Sequence, residues 1–343
     1  MTAGSFWQKT EDWHTAGMPF RIVEDLPPGT FTEGLTISQQ YSTIANTPSH
    51  PLDLLRQSLA QEPIGHAAMY GAFIVAPDDL GAHFGALLWH TGGFSTACGH
   101  GTIALGYWAV AHSLVPANPG GIAEIRIDIP SGRVTARATF DREGAVIYMD
   151  FINVASHQIS DRTSISIDIA GETLSMDMVL SFGGAVIACV DVADLGLHVE
   201  PSQSQKFIDI ARKIKAQYTK YLYQDKYNIA SVCFFEGKGE SPNAILQKNV
   251  VVYGDGQIDR SPCGSGTCAR LAVLLADGKL NAEKHLVHES IIGTKFEAHV
   301  MEVVDGSPFP SCVPCVRGTA HIVGKMNFFI DSADPIYPGF ILG

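Results

Sequence analysis

Residues 95–110, STACGHGTIALGYWAV, and residues 260–275, RSPCGSGTCARLAVLL, align on Cys98 and Cys263. Both read Cys-Gly-x-Gly-Thr-x-Ala and then turn apolar, and the second thiol lies 165 residues after the first. That period is too long for a solenoid and points to two related domains, one motif in each. Each motif follows a strand-like run and opens a helix. After Cys98 the stretch TIALGYWAVAHSLV from Thr102 predicts a largely buried helix. After Cys263 the stretch GTCARLAVLLADGKL carries strong helix formers until Gly278 ends it. Pro262 fits the preference for proline at helix starts.

A thiol at a helix entrance feels the positive end of the helix dipole, and thiols so placed have pKa values of about 3.5–7.5 instead of about 8.5. The exposed amides of Gly99, Gly101, Gly264 and Gly266 suit an anion, most naturally a carboxylate. Two such helix entrances facing each other would hold one small anion between two thiols. One thiol would take a proton from a carbon while the other returned one on the opposite face. Their titrations would be coupled, so no single pKa would belong to either. The implied reaction is inversion at the carbon next to a carboxylate.

Other readings of the motifs fare worse. No lysine follows either glycine set, which excludes a P-loop. GHGTIALG spaces its glycines wrongly for a dinucleotide fingerprint. A cysteine hydrolase, with His100 as the base for Cys98, would leave Cys263 and its matching loop without a task. A single copy would read most simply as a small buried thiol behind a glycine turn, and the second copy is what favours chemistry.

The 343 residues are too many for one ordinary core and suit two. Apolar residues at 46% with charged residues at 17% indicate a well-buried globular chain. A net charge of -12 argues against a nucleic acid or an anionic membrane as partner, without forbidding a small anionic substrate. No apolar run reaches membrane-span length, and the first residues lack the layout of a signal peptide, so a cytoplasmic location is the default expectation. The seven cysteines read as thiols in a reducing compartment. Cys312 and Cys315 form a lone C-x-x-C with no second ligand pair for zinc, and Pro314 with the preceding GSPFP suggests a loop. Cys268, one helical turn beyond Cys263, reads as core.

Strand-like runs dominate, among them FRIVEDL, FGALLWH, AEIRIDIP, RVTARATFD, AVIYMDFI, MDMVLSF, AVIACVDV, ASVCFFE and NVVVYG. Helical stretches are fewer: PLDLLRQSLAQ, SQKFIDIARKIKAQYTKYL and the segments after the two cysteines. The fold class is therefore α/β in the mixed α+β sense. Irregular alternation of strand and helix speaks against a doubly wound nucleotide fold.

With Cys98, His100, Asp259 and Cys263 in place, the chain resembles the proline racemase family, which includes proline racemases, hydroxyproline 2-epimerases and trans-3-hydroxy-L-proline dehydratases. CGHGTIALG and DRSPCGSGT carry the resemblance, which extends from WHTAGMPFRIV through EPIGHAAMYGA and SFGGA to GFIL. It implies two pseudo-symmetric domains in a diaminopimelate epimerase-like fold, each a β-sheet or half-barrel wrapped around a central helix. The expected division is 1–160 plus 326–343 for the first and 161–325 for the second. The resemblance also implies a cofactor-independent enzyme with no metal, taking proline or a hydroxyproline as its small-molecule partner. It places the two bases at Cys98 and Cys263, and substrate-holding residues at Gly99, His100, Asp259, Gly264 and Ser265. His100 and Asp259 would hold the amino group, and Tyr70 falls where an aromatic residue walls the ring pocket. Read without the family, His100 could cap locally, Asp259 could accept amides in its turn, and Tyr70 could be core.

The chain departs from the family pattern in places. Ala97 stands where methionine is common before the first cysteine, and Ser265 replaces a frequent threonine while keeping the hydroxyl. Met18 stands where a glutamate is common. GHAAMYGA resembles the dehydratase branch, yet those enzymes generally carry threonine at the position of Cys263. A racemase or 2-epimerase is the expected activity, with a trans-3-hydroxy-L-proline dehydratase as the alternative and a non-catalytic protein a distant third. The sequence leaves open which of these substrates is used and whether the chain forms a homodimer.

Overall fold

The computed structural model describes residues 4–32, 34–222, 228–281, 283–304, 306 and 308–342. The chain divides into two units, Met1–Met149 with Thr319–Gly343, and Asp150–Gly318.

The first unit contains β1 (Phe6–Thr15), β2 (Met18–Val23), α1 (Ile37–Ala45), α2 (Pro51–Ala60), β3 (Tyr70–Val75), β4 (Phe84–His90) and β5 (Gly93–Ser95). It continues with α3 (Gly99–Ala111), β6 (Ile122–Ile129) and β7 (Gly132–Phe140). Strand β8 (Val146–Ile152) spans the division. The second unit contains β9 (Ser156–Gln158), β10 (Thr163–Ile169), β11 (Glu172–Phe182), β12 (Val186–Asp191), α4 (Ser204–Leu222), β13 (Ser231–Glu240) and β14 (Ala244–Tyr253). It ends with β15 (Gln257–Ile258), α5 (Gly264–Ala276), β16 (His285–Glu289), β17 (Lys295–Val304) and β18 (Ser311–Gly318). β19 (Ala320–Ile330) returns to the first unit.

The two sheets repeat one pattern. Across the first, β19–β1 and β1–β2 are antiparallel, β2–β3 parallel, β3–β4 antiparallel, β4–β6 parallel and β6–β7 antiparallel. Across the second, β10–β11 and β11–β12 are antiparallel, β12–β13 parallel, β13–β14 antiparallel, β14–β16 parallel and β16–β17 antiparallel. Parallel neighbours need a crossover connection. In both sheets the second crossover is the helix that follows the cysteine, α3 or α5, and β5 and β15 are matching short hairpin partners of β4 and β14. The second sheet also closes on itself, because β17 pairs with β18, β18 with β9, and β9 with β11.

The central helices are buried on nearly every side, as a helix without a polar face must be. In α5 every residue from Gly264 to Leu274 is buried, including Arg270. Its guanidinium lies 3.7 Å from the Phe235 ring centroid, and its Nε donates to Gln247 Oε1 at 3.0 Å. In α3 the run Gly99–Gly106 is buried together with Trp108 and Ala109. The motif glycine Gly101 is needed for this close packing: a Cβ there would sit 2.3 Å from Phe20 Cε2 and 2.8 Å from Cys98 Sγ.

Several details differ from the sequence expectation. Residues 150–160 go with the second unit, because β9 bonds to β11 and β18. Residues 319–325 go with the first, because β19 pairs along β1 from Ala320. Cys312 and Cys315 lie in strand β18 and not in a loop, both fully buried. Pro314 is tolerated there because its partner Val300 adjoins a register shift in β17, the kind of bulge that relieves a missing ladder donor. Burial pushes the Cys312 thiol up to about 11, opposite to the direction a redox-active C-x-x-C needs. Helix α1 escaped the sequence reading, although Thr36 and Gln39 form a capping box at its start.

Two stability outcomes follow. Phe207 of α4 is fully buried with its ring 5.1 Å from that of Phe234, so Phe207→Ala should cost about 3–5 kcal/mol in urea unfolding. Gly101→Ala gains little helix propensity at a first turn but forces Phe20 or the backbone to move. A net loss of about 1–3 kcal/mol is expected in the same assay, and a neutral result would show that the packing can relax.

Candidate active site

In the first unit the chain leaves β5 and turns at Cys98, which is the N-cap of α3 with an extended backbone, φ −156° and ψ 103°. Its Sγ accepts from the Gly101 amide at 3.2 Å, taking the place of the usual side-chain oxygen. Thr102 Oγ1 donates to the Cys98 carbonyl at 2.9 Å and closes the turn. His100 places Nδ1 at 3.3 Å and Nε2 at 3.6 Å from the same sulfur. The imidazole can therefore accept from a thiol or donate to a thiolate, according to its tautomer.

His100 is itself held. Thr15 Oγ1 donates to its carbonyl at 2.8 Å, and its ring stands edge-on to Tyr70 at 5.0 Å and to Phe20 at 5.7 Å. Tyr70 is buried, 6.3 Å from Phe20 and 5.4 Å from His90 between ring centroids. Cys98, Gly99, His100 and Tyr70 thus come together at the start of α3, with Phe20 beside His100 and His90 beside Tyr70, neighbours the sequence reading missed. Register explains both. Phe20 is buried on β2, while Tyr70 of β3 pairs with His90 of β4, and neither strand announces which face lines the thiol.

In the second unit Cys263 is the N-cap of α5, and its Sγ accepts from the Gly266 amide at 3.3 Å. The thiol–amide geometry of the first copy is repeated at the same offset of three residues. The backbone differs: Cys263 has φ 63° and ψ 115°, a left-handed value disfavoured for any residue with a Cβ. Asp259 Oδ1 accepts from both the amide and the hydroxyl of Ser261, each at 2.8 Å. Ser261 Oγ in turn accepts from the Cys263 amide at 3.1 Å. Asp259, Cys263, Gly264 and Ser265 therefore lie together at the start of α5, and Asp259 is linked to the cysteine turn through Ser261. Cys268 is fully buried, and burial raises its thiol pKa far above the usual range. Among the described residues, no group of three or more His, Cys, Asp or Glu is placed to hold a metal ion. Among the same residues, no helix is long and apolar enough to cross a membrane.

Sequence reasoning missed a buried polar group beneath Cys263. Asn249 Nδ2 donates to the Pro262 carbonyl at 2.6 Å, Thr267 Oγ1 donates to it at 3.2 Å, and His288 Nδ1 lies 2.9 Å from Thr267 Oγ1. Burial and the nearby charge of Arg270 pull the His288 pKa down to about 3. Asn249 and His288 sit on β14 and β16, outside the motif on either side of it, and no sequence signal marks them.

Known proteins resemble this chain along almost its whole length. A trans-3-hydroxy-L-proline dehydratase from Colwellia psychrerythraea is 34% identical over 333 residues, covering 96% of this chain and 91% of the relative. A proline racemase from Clostridioides difficile is 33% identical over 336 residues, covering 96% and 97%. The crystal structure of a hydroxyproline epimerase from Agrobacterium vitis, solved with bound trans-4-hydroxy-L-proline, superposes with a TM-score of 0.86 at 22% identity. That match covers 98% of this chain and 96% of the other, and it establishes the fold. The family model described as proline racemase matches residues 11–341, and the chain belongs to the proline racemase family.

Proposed function

We propose that the protein inverts the α-carbon of proline or a hydroxyproline by a two-thiol acid–base mechanism, without a cofactor. The observation that carries this reading is the repeated geometry of Cys98 and Cys263. Each thiol caps the N-terminus of a buried helix and accepts a glycine amide three residues on, at 3.2 and 3.3 Å. Both features favour the thiolate, the form able to act as base.

In the proposed reaction one cysteine thiolate takes the α-proton and becomes a thiol. The electron pair left on Cα is delocalised into the carboxylate and the carbon flattens. The other cysteine, starting as a thiol, gives its proton to the opposite face and becomes a thiolate. The substrate has gained and lost one proton, and the two thiols have exchanged roles until solvent resets them. The carboxylate would rest on the amides of the glycine turns that open α3 and α5, where the helix dipoles oppose its charge. His100 and Asp259 would hold the amino group, and Gly99, Gly264 and Ser265 would shape the site. Tyr70 and Phe20 would wall the ring.

Dehydration of trans-3-hydroxy-L-proline is the second reading, because a relative of comparable identity bears that name. Elimination needs one base and an acid for the departing hydroxyl. Inversion needs a proton donor on each face, and the second thiol, Cys263, favours it.

Cys98→Ser and Cys263→Ser should each abolish nearly all inversion while leaving the thermal midpoint within a few degrees, since a serine hydroxyl is far too weak a base near neutral pH. Polarimetry on both enantiomers checks this, and substantial turnover by either variant would refute the two-thiol model. In D2O a single enantiomer should yield the opposite one labelled at Cα, as NMR of proline, trans-4-hydroxy-L-proline and trans-3-hydroxy-L-proline will reveal. Clean dehydration of the last, with no deuterated epimer from any of the three, would assign the protein to the dehydratase branch.

A further inference from the structure

We propose that Asn249, Thr267 and His288 are positioning residues for Cys263, holding the Pro262 carbonyl so that the cysteine keeps its left-handed backbone. The inference rests on the two-thiol reading for its link to turnover, but its structural basis is independent of it. Cys263 and Cys98 occupy matching places in the repeat, yet only Cys263 has positive φ, 63° against −156°. A residue with a Cβ stays in that region only when its surroundings over-determine it.

The surroundings do so by fixing both polar ends of the peptide plane that precedes it. Ahead of Cys263, the Pro262 carbonyl is gripped by Asn249 Nδ2 at 2.6 Å and Thr267 Oγ1 at 3.2 Å. At its own amide, Ser261 Oγ accepts at 3.1 Å. In the first unit the matching threonine, Thr102, bonds instead to the Cys98 carbonyl. There β4 opens with the wholly apolar run FGALL, whereas β14 supplies Asn249.

Two buried atoms argue that this polar group is kept for placement. Among the described residues, Asn249 Oδ1 and His288 Nε2 have no hydrogen-bond partner, although both residues are completely buried. Such groups are destabilising and call for a reason. The Asn249 amide cannot turn over to improve matters, because Oδ1 would then face the Pro262 oxygen at the distance Nδ2 now occupies. His288 braces the array through Thr267 at 2.9 Å and lies 3.4 Å from Asn249 Nδ2. Its low pKa keeps it neutral, so it orients these groups without adding a charge beside the thiol. Asn249 Nδ2 also donates to Cys233 Sγ at 3.9 Å.

The test compares Asn249→Ala, Thr267→Val and Thr267→Ser with the wild type. Iodoacetamide alkylation, mapped by peptide mass spectrometry, reads the reactivity of Cys263 against Cys98 within each molecule. Asn249→Ala and Thr267→Val should change the Cys263 rate by at least about threefold and leave Cys98 within about twofold, since thiol reactivity follows local environment. For inversion, kcat should fall at least about tenfold with KM within about threefold, as expected for a misplaced reacting group. Thr267→Ser, which keeps the hydroxyl, should restore both. If Asn249→Ala does not fold, the near-isosteric Thr267→Val and its serine rescue decide the matter. An unchanged Cys263 rate, equal effects on both thiols, or a loss confined to KM would overturn the proposal. If Cys263→Ser itself retained inversion, the two-thiol reading would fail, while the alkylation ratio would still report whether the network positions the sulfur.

Discussion

A sulfur in the N-cap position is the constraint on which the rest of the molecule depends. Helix N-termini present amides that need an acceptor, and short oxygen side chains ordinarily supply it. Here both central helices use a cysteine, and in each the acceptor's partner is the glycine amide three residues later. The thiol is thereby fixed at the point of greatest positive potential along the helix. The glycine between sheet and sulfur leaves no Cβ to crowd it, with Phe20 limiting Gly101 and Val251 Cγ2 limiting Gly266 at 2.9 Å.

Burial of the helices follows from the same requirement. A helix that must aim its first turn at a site gains precision when its body is clamped by sheet. Placing α3 and α5 as crossovers between parallel strands surrounds each with strands of its own unit. The charged exception in α5, Arg270, is accommodated by the Phe235 face and Gln247. Its charge is also one reason His288 stays neutral nearby. Core packing and site electrostatics are therefore coupled in the second unit through one buried guanidinium.

The two halves share topology but have diverged in how they hold the sulfur. The first relies on aromatic contacts around His100 and a threonine bond to the cysteine carbonyl. The second relies on polar contacts to the preceding proline carbonyl and on a strained backbone. A two-base inversion treats its substrate alike from both faces only in stoichiometry. Different surroundings for the two thiols are compatible with that, because each needs a competent position and not an identical one.

The sequence by itself determined the thiols, their helix-entrance setting and the duplication, because these rest on local signals: a short motif, a proline at a helix start, a glycine at a helix end. Cys98 and Cys263, the existence of α3 and α5 behind them, and the terminating Gly278, with φ 68°, were readable in this way, although α3 begins at Gly99 and ends at Ala111, earlier at both ends than the run from Thr102 suggested. Tertiary structure alone decided what surrounds them. Tyr70 and Phe20 meet His100, with His90 behind Tyr70, through strand pairing and packing, and Asn249 reaches Pro262 while His288 reaches Thr267 from strands joined across α5. Pairing register assigns each side chain to one face of a sheet, and a shift of one residue would exchange the faces. That choice follows from non-local packing, and for this reason the C-x-x-C resembled a loop in one dimension and is a buried strand in three.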